Sequence, residues 1–289
     1  MRASRPAITA LVAGLVVTGA LSTVAYVLND HNENRLLKLQ TQTAGAILQV
    51  IVPVIETPLS SAAQIAVTGS GDVTGFQNYI RTYVGTKGPF TSASLWSLSG
   101  TTARMLTDVG SAPALDRAGT GEASFLSDAA SKPALHVTGP LSDGTDIGRV
   151  GYAFAATSGA VSYVVYAESV LPANRRAPTD NTSPLSDLRF ALYLGKARTQ
   201  AALLETNSAH LPIHGRTSAV SVPFGDTSLT LVATPKRPLG GALSGSLWWI
   251  AILIGLVLSA LAALAAERLT RQRLAAERLA VQIYDVMGE

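Results

Sequence analysis

The chain has 289 residues, 47% apolar and only 14% charged, with a mean hydropathy of +0.29 and no cysteine. This balance is oilier than that of an ordinary soluble domain and excludes low-complexity disorder; the missing thiols exclude disulfide frameworks, zinc ribbons, thiol nucleophiles and cysteine-ligated clusters. The net charge of +3 and a pI near 9.3 raise nucleic acid as a partner. The charge, however, divides into +2 ahead of the first apolar run, +1 from 16 basic and 15 acidic residues in the middle, and zero from a tail with four of each. No basic patch remains, and nucleic acid leaves the list.

Ala7 to Leu28 is a run of 22 residues without formal charge, long enough to cross a hydrocarbon core of about 30 Å as a helix. A second uncharged run extends from Pro238 to Ala266, dense in apolar residues from Leu247, with Trp248 and Trp249 at its start, where aromatic residues favour the headgroup layer. Arg2 and Arg5 precede the first span; Arg268, Arg271, Arg273 and Arg278 follow the second. The positive-inside rule then makes 1–6 a cytoplasmic N-terminus, 7–28 and 247–266 the two transmembrane helices, 29–246 extracytoplasmic and 267–289 a cytoplasmic linker. A cleaved secretory signal is the alternative for the first span, but the stretch is longer than a signal core and no A-x-A site follows it.

Beyond the first span, Leu36, Leu39, Thr43, Ala46 and Val50 recur at steps of three and four, so the helix continues out of the membrane until Pro53 and Pro58 kink or end it. A short helix is expected around Phe76 to Tyr83, after the Gly69-Ser70-Gly71-Asp72 break. Strands are expected at Thr91–Leu98, Val150–Ala155, Val161–Ala167, Leu188–Leu194, Ala219–Val222 and Ser228–Ala233, which are rich in β-branched and aromatic residues. Val161–Ala167 is nearly continuous in apolar residues, as a strand covered on both faces would be. Phe224-Gly225-Asp226-Thr227 reads as a hairpin turn and Ala173 to Pro178 as an exposed loop. The fold class that follows is α+β: a long N-terminal helix and an antiparallel sheet between two spans.

The tail carries Ala262, Ala265, Leu269, Gln272, Ala276, Leu279, Ile283 and Val286 at steps of three and four without a Gly or Pro break, so the second span runs on into a coiled-coil-like helix. An amphipathic tail lying on the membrane is the alternative. Small residues spaced by four, Ala10, Gly14, Thr18 and Ser22 on the first span and Ala251, Gly255, Ser259 and Ala263 on the second, permit close helix pairing. The candidate helix-pairing residues are Gly14, Gly255, Ser259, Leu269, Ala276, Leu279 and Ile283.

No phosphate-binding loop, G-x-S-x-G elbow, H-E-x-x-H helix or kinase signature is present, so no catalytic, cofactor-binding or metal residue is assigned. His210 and His214 are four apart, but Pro212 between them argues for a loop; Asp143 and Asp146 around Gly144 lack the other ligands of a calcium loop. Trp96, Tyr152, Phe154, Tyr163, Tyr166 and Glu168 within the expected sheet are candidates for a ligand pocket, with Arg104 or His136 nearby. Of these, Trp96, Tyr152, Tyr163, Tyr166 and Glu168 form the candidate set. A carboxylate beside so apolar a strand as Glu168 requires a partner or a ligand.

Several segments resemble those of actinobacterial membrane sensor proteins: Tyr166-Ala167-Glu168-Ser169, Leu171-Pro172-Ala173-Asn174-Arg175-Arg176, Phe190-Ala191-Leu192-Tyr193-Leu194-Gly195, Val222-Pro223-Phe224-Gly225-Asp226 and Pro238-Leu239-Gly240-Gly241. The segment order is similar to the input region of bacterial receptors, a CHASE-like or Cache/PAS-like extracytoplasmic domain between two spans. The tail through Tyr284 and Glu289 resembles the linker leading into an output domain: a sporulation-type serine phosphatase, a two-component histidine kinase or a cyclic-dinucleotide enzyme. The resemblance implies a homodimeric transmembrane sensor whose partners are the membrane, a small-molecule or envelope ligand and a cytoplasmic output protein or domain, with that output missing from this chain. A structural or accessory membrane protein whose outer domain binds another protein without signalling is the alternative. An extracytoplasmic enzyme lacks the convergent acids, bases or ligands it would need.

Overall fold

The first apolar run opens a helix far longer than a membrane span. In the computed structural model, which describes residues 5–100, 102–115, 121–142, 148–177, 185–240 and 247–287, helix α1 is Arg5–Thr68, 64 residues, with Pro53 and Pro58 inside it. The helix does not end at the prolines. Each interior proline costs a helix about 3 kcal/mol, but Ile55 between them and Leu59, Ala62, Ala63 and Ala66 just beyond are buried in the main core. At about 1.5–3 kcal/mol for a large side chain and less for each alanine, that burial offsets a loss of the same order.

The chain forms two units, Met1–Leu36 with Pro238–Glu289, and Leu37–Arg237; α1 contributes to both. In the first, α1 packs against α4 (Leu247–Met287), a single helix of 41 residues. Gly14 lies directly under the side chain of Ser259, and Gly255 under that of Thr18, so a Cβ at either glycine would collide. The Thr18 and Ser259 hydroxyls donate to the carbonyls of Gly14 and Gly255, at 2.8 and 2.7 Å, the back-bonding that satisfies a hydroxyl in an apolar setting. Both helices contain stretches long and apolar enough to cross a membrane, and their large side chains point outward, with Leu28 64% and Leu253 62% exposed.

The second unit is α+β, with two antiparallel sheets where one was expected. After α2 (Val73–Ile80), capped by the Asp72 carboxylate, the first sheet comprises β1 (Ser92–Ser99), β2 (Thr102–Gly110), β3 (His136–Val137), β4 (Leu141–Ser142), β5 (Gly148–Ser158) and β6 (Val161–Val170), with α3 (Glu122–Ser131) lying between β2 and β3 in sequence. Its order is β2-β1-β6-β5-β3, with β4 also on β5. The second sheet, β8-β7-β10-β9, is built from β7 (Leu188–Leu194), β8 (Leu203–Thr206), β9 (Ser218–Phe224) and β10 (Thr227–Pro235). All six expected strands are present, and β6 is buried on both faces as its composition required. The Ala173 stretch is a short 3-10 turn (Ala173–Arg175).

One core lies between α1, α2 and both sheets, joining Leu59 and Phe76 to Leu95, Val165, Val222 and Phe224. A second covers the opposite face of the first sheet, where Leu126 and Ala129 of α3 meet Trp96, Ala153 and Tyr166. On α1 the buried stripe is Leu37, Thr41, Ala44, Leu48, Val52 and Ile55. The stripe that signalled the helix in the sequence lies on the other side, with Leu39 49% and Val50 70% exposed.

Candidate functional site

Alternation along β6 separates the predicted pocket residues. Tyr163, Val165 and Ala167 face the core shared with the second sheet; Val164, Tyr166 and Glu168 face α3. Register brings Ser92, Ser94 and Trp96 of β1 opposite Glu168, Tyr166 and Val164, and Gly151 and Ala153 of β5 opposite Glu168 and Tyr166. Trp96, Tyr166 and Glu168 therefore share a face. Tyr152 and Tyr163 are on the other, as is Phe154. Tyr152 sits against Phe90 and Phe224, ring centroids 6.1 and 5.9 Å away, and burial pushes its phenol above the usual range, partly offset by a bond with Ser169.

Glu168 is fully buried and finds its partners within the chain. Its Oε1 accepts the backbone N–H groups of Ala114 (2.6 Å) and Leu115 (3.2 Å) and the Tyr166 hydroxyl (2.9 Å). Its Oε2 accepts Arg149 Nη1 at 2.9 Å and the Ser92 hydroxyl at 3.4 Å. Arg149 Nη1 also reaches Ser111 Oγ and Ala112 O, both at 3.2 Å. The carboxylate thus fastens the 111–115 loop over the sheet. Gly151 is part of the same device, because a Cβ there would overlap the Tyr166 hydroxyl. Trp96 joins through its indole N–H, which donates to Ser94 Oγ at 2.8 Å.

Beside that loop lies a cavity of about 350 Å³ lined by Leu115, Phe125, Val137, Thr138, Gly139, Pro140 and Leu141. Its size is at the lower end for small-molecule sites. Glu168 shapes its wall by holding Leu115, but none of the five predicted pocket residues lines it. Thr138 is held in place by the sheet: its hydroxyl accepts the Gly151 N–H at 2.9 Å. Arg104 lies instead on β2, and His136 pairs with Asp226 at 3.0 Å. His210 and His214 are exposed; Asp143, Gly144 and Asp146 lie outside the described residues. Among the described residues no group of three or more His, Asp or Glu side chains could hold a metal.

Sequence reasoning missed Arg149, although one signal pointed to it. A tight turn at Gly159 pairs Ser158 with Val161 and carries Arg149 to the position opposite Val170, diagonal to Glu168. Of the helix-pairing candidates, Gly14, Gly255 and Ser259 lie between α1 and α4 of one chain, and Leu269 is 60% exposed. The side-chain surroundings of Ala276, Leu279 and Ile283 lie outside the described residues.

No protein-family model matches this chain, and no curated protein matches its sequence. Among solved structures it is similar to the ligand-binding domain of the Pseudomonas aeruginosa amino-acid chemoreceptor PctC, solved with GABA, at 14% identity over 69% of this chain and 97% of that one, with a TM-score of 0.44. It is similar to the periplasmic sensory domain of a Campylobacter jejuni chemoreceptor at 10% identity, over 74% and 99% of the two chains, TM-score 0.46. The ligand-binding domain of the Pseudomonas fluorescens chemoreceptor CtaA, solved with L-isoleucine, follows at 12%, 74%, 95% and 0.44. All three are sensory or ligand-binding domains of bacterial chemoreceptors.

Proposed function

We propose that this chain is the input region of a transmembrane receptor, in which residues 29–246 lie outside the cytoplasm and bind a small molecule in the cavity beside Leu115. The observation that carries the reading is α1. One helix of 64 residues is at one end an apolar span and at the other a core element of the domain that holds the cavity. A shift in that domain has no loop in which to dissipate before it reaches the membrane segment. The 41-residue α4 holds the second apolar stretch and runs on from it into the tail.

We further propose that the receptor works as a homodimer. A helix apolar on two opposite sides needs two partners. The core covers one side of α1, while Leu39, Ile47, Val50, Ile51 and Val54 remain exposed on the rest. Two copies anchored by the same span would present these residues to each other in parallel register. The cytoplasmic helix through Leu269, Ala276, Leu279 and Ile283 would pair in the same way and pass the signal to an output domain or partner.

The test uses the full chain in nanodiscs. Its lack of cysteine makes single introduced cysteines unique. Cysteines at Val50, Leu269, Ala276 and Ile283 should crosslink between copies, and neighbouring positions should not. A small-molecule panel including amino acids should contain a compound that raises the melting temperature and alters crosslinking at Ala276. Gly139→Trp, which fills the cavity, should abolish both effects. Crosslinks that no compound changes would favour the accessory-protein reading; no periodic crosslinking at all would remove the homodimer.

A further inference from the structure

One turn residue makes the polar contacts between the edge of the first sheet and the tip of the second. The β9–β10 hairpin turns through Gly225 and Asp226, with Gly225 at φ +60°. Gly225 is pressed so closely on the Leu135 carbonyl that a Cβ would overlap it. The Asp226 N–H donates to Leu135 O at 2.8 Å, Asp226 Oδ1 accepts the Val137 N–H at 3.1 Å, and Asp226 Oδ2 lies 3.0 Å from His136 Nδ1. Three polar groups of one turn residue thus grip three consecutive residues at β3. His136 is buried, and its Nε2 has no hydrogen-bond partner. Since a carboxylate only accepts, Nδ1 donates to Asp226.

Each side of this clasp leads to a functional element. On one side the strand continues directly into Val137 and Thr138 of the cavity wall. On the other, β9 carries Val220, whose methyl groups crowd Gly45 of α1 so closely that a Cβ there would stand 2.9 Å from them. Cavity, β3, Asp226, β9 and α1 form an unbroken series of contacts within one unit. Such a series transmits force only if its members are energetically coupled.

We propose that Asp226 is the positioning residue that couples the cavity wall to α1, so that displacement of Val137 and Thr138 moves the β9–β10 hairpin against Gly45. The inference rests on the receptor reading for its purpose, but the coupling exists without any ligand and is tested without one.

The experiment is amide hydrogen exchange on the full chain in nanodiscs. The wall is perturbed by Thr138→Val, which removes the hydroxyl that accepts the Gly151 N–H. Exchange over 218–224 and 41–48 should quicken by about threefold to tenfold. Asp226→Ala should quicken exchange at Val137 and make 218–224 and 41–48 insensitive to Thr138→Val. Asp226→Asn, which keeps an oxygen acceptor for the Val137 N–H, should restore part of that sensitivity, which a merely structural role would not do. Should Asp226→Ala fail to fold, His136→Phe removes the Oδ2 partner, leaves the turn intact and should also reduce the coupling. Equal responses to Thr138→Val with and without Asp226, or a response confined to the first sheet in both backgrounds, would overturn the proposal. A chain that shows the coupling but binds no member of the panel keeps the clasp and loses the receptor reading.

Discussion

The two sheets each withdraw a glutamate from solvent, one fully and one by half, and treat it in opposite ways. Glu168 on central β6 is fully buried and receives five donors, one from Arg149. Glu205 lies on the edge strand β8 and is half-buried, and burial alone pushes its carboxyl above the usual carboxylate range. Position in the sheet explains the difference. A central strand has a neighbour on each flank and a loop over its face, so donors can converge from β1, β5 and the 111–115 segment. An edge strand is served from fewer directions. Desolvation of a carboxylate is thus answered by hydrogen bonds in one sheet and by tighter proton binding in the other.

The comparison breaks most visibly at Glu168. Glu168→Leu removes the carboxylate that five donors share, Arg149 among them, and should destabilise the domain by about 3–5 kcal/mol. Urea denaturation of the full chain in micelles would measure it; a loss below about 1 kcal/mol would show the network to be replaceable. Next in size is Tyr166→Phe, which removes one bond to a charged group, about 1.5–3 kcal/mol. Gly151→Ala should cost about 1–3 kcal/mol by overpacking against the Tyr166 hydroxyl. In the Tyr166→Phe background that cost should shrink, because the colliding oxygen is gone; additive losses would show that the hydroxyl is not what requires the glycine.

Much of the frame was legible because it depends on local pattern. Leu188–Leu194 alternates cleanly, and its strand was bounded correctly. Thr102–Gly110 was invisible: an edge strand carrying Arg104 and Asp108, it buries neither face well and so has no apolar period. Glu168 announced itself as a charge on an apolar strand, which gave its need for a partner without naming Arg149. The cavity could not be read, because Gly139 and Pro140 line it through where the chain turns rather than through their side-chain chemistry. Asp226 was legible as a turn residue, but its grip on β3 arises only once two sheets meet, and pairs 89 residues apart leave no mark on local periodicity. The prolines misled for the same reason: a helix rule was overruled by packing that lies elsewhere in the sequence.

The smallest effect sharpens the contrast from the other side. Because Glu205 is held above its ordinary value of 4.5 by burial, the folded state binds this proton more tightly than the unfolded chain. Its favourable contribution is complete below about pH 4.5 and disappears as pH rises through the folded value, leaving a penalty at neutral pH. Glu205→Gln keeps the shape without the charge. It should raise stability at pH 7 by less than about 1 kcal/mol, given that solvent still screens a half-exposed group. It should also flatten the fall in stability that begins above about pH 4.5. Melting temperatures of the two chains compared from pH 4 to pH 7 decide the point: curves that stay parallel, or a variant less stable at pH 7, would mean that Glu205 has donors after all and that the two sheets treat their carboxylates alike.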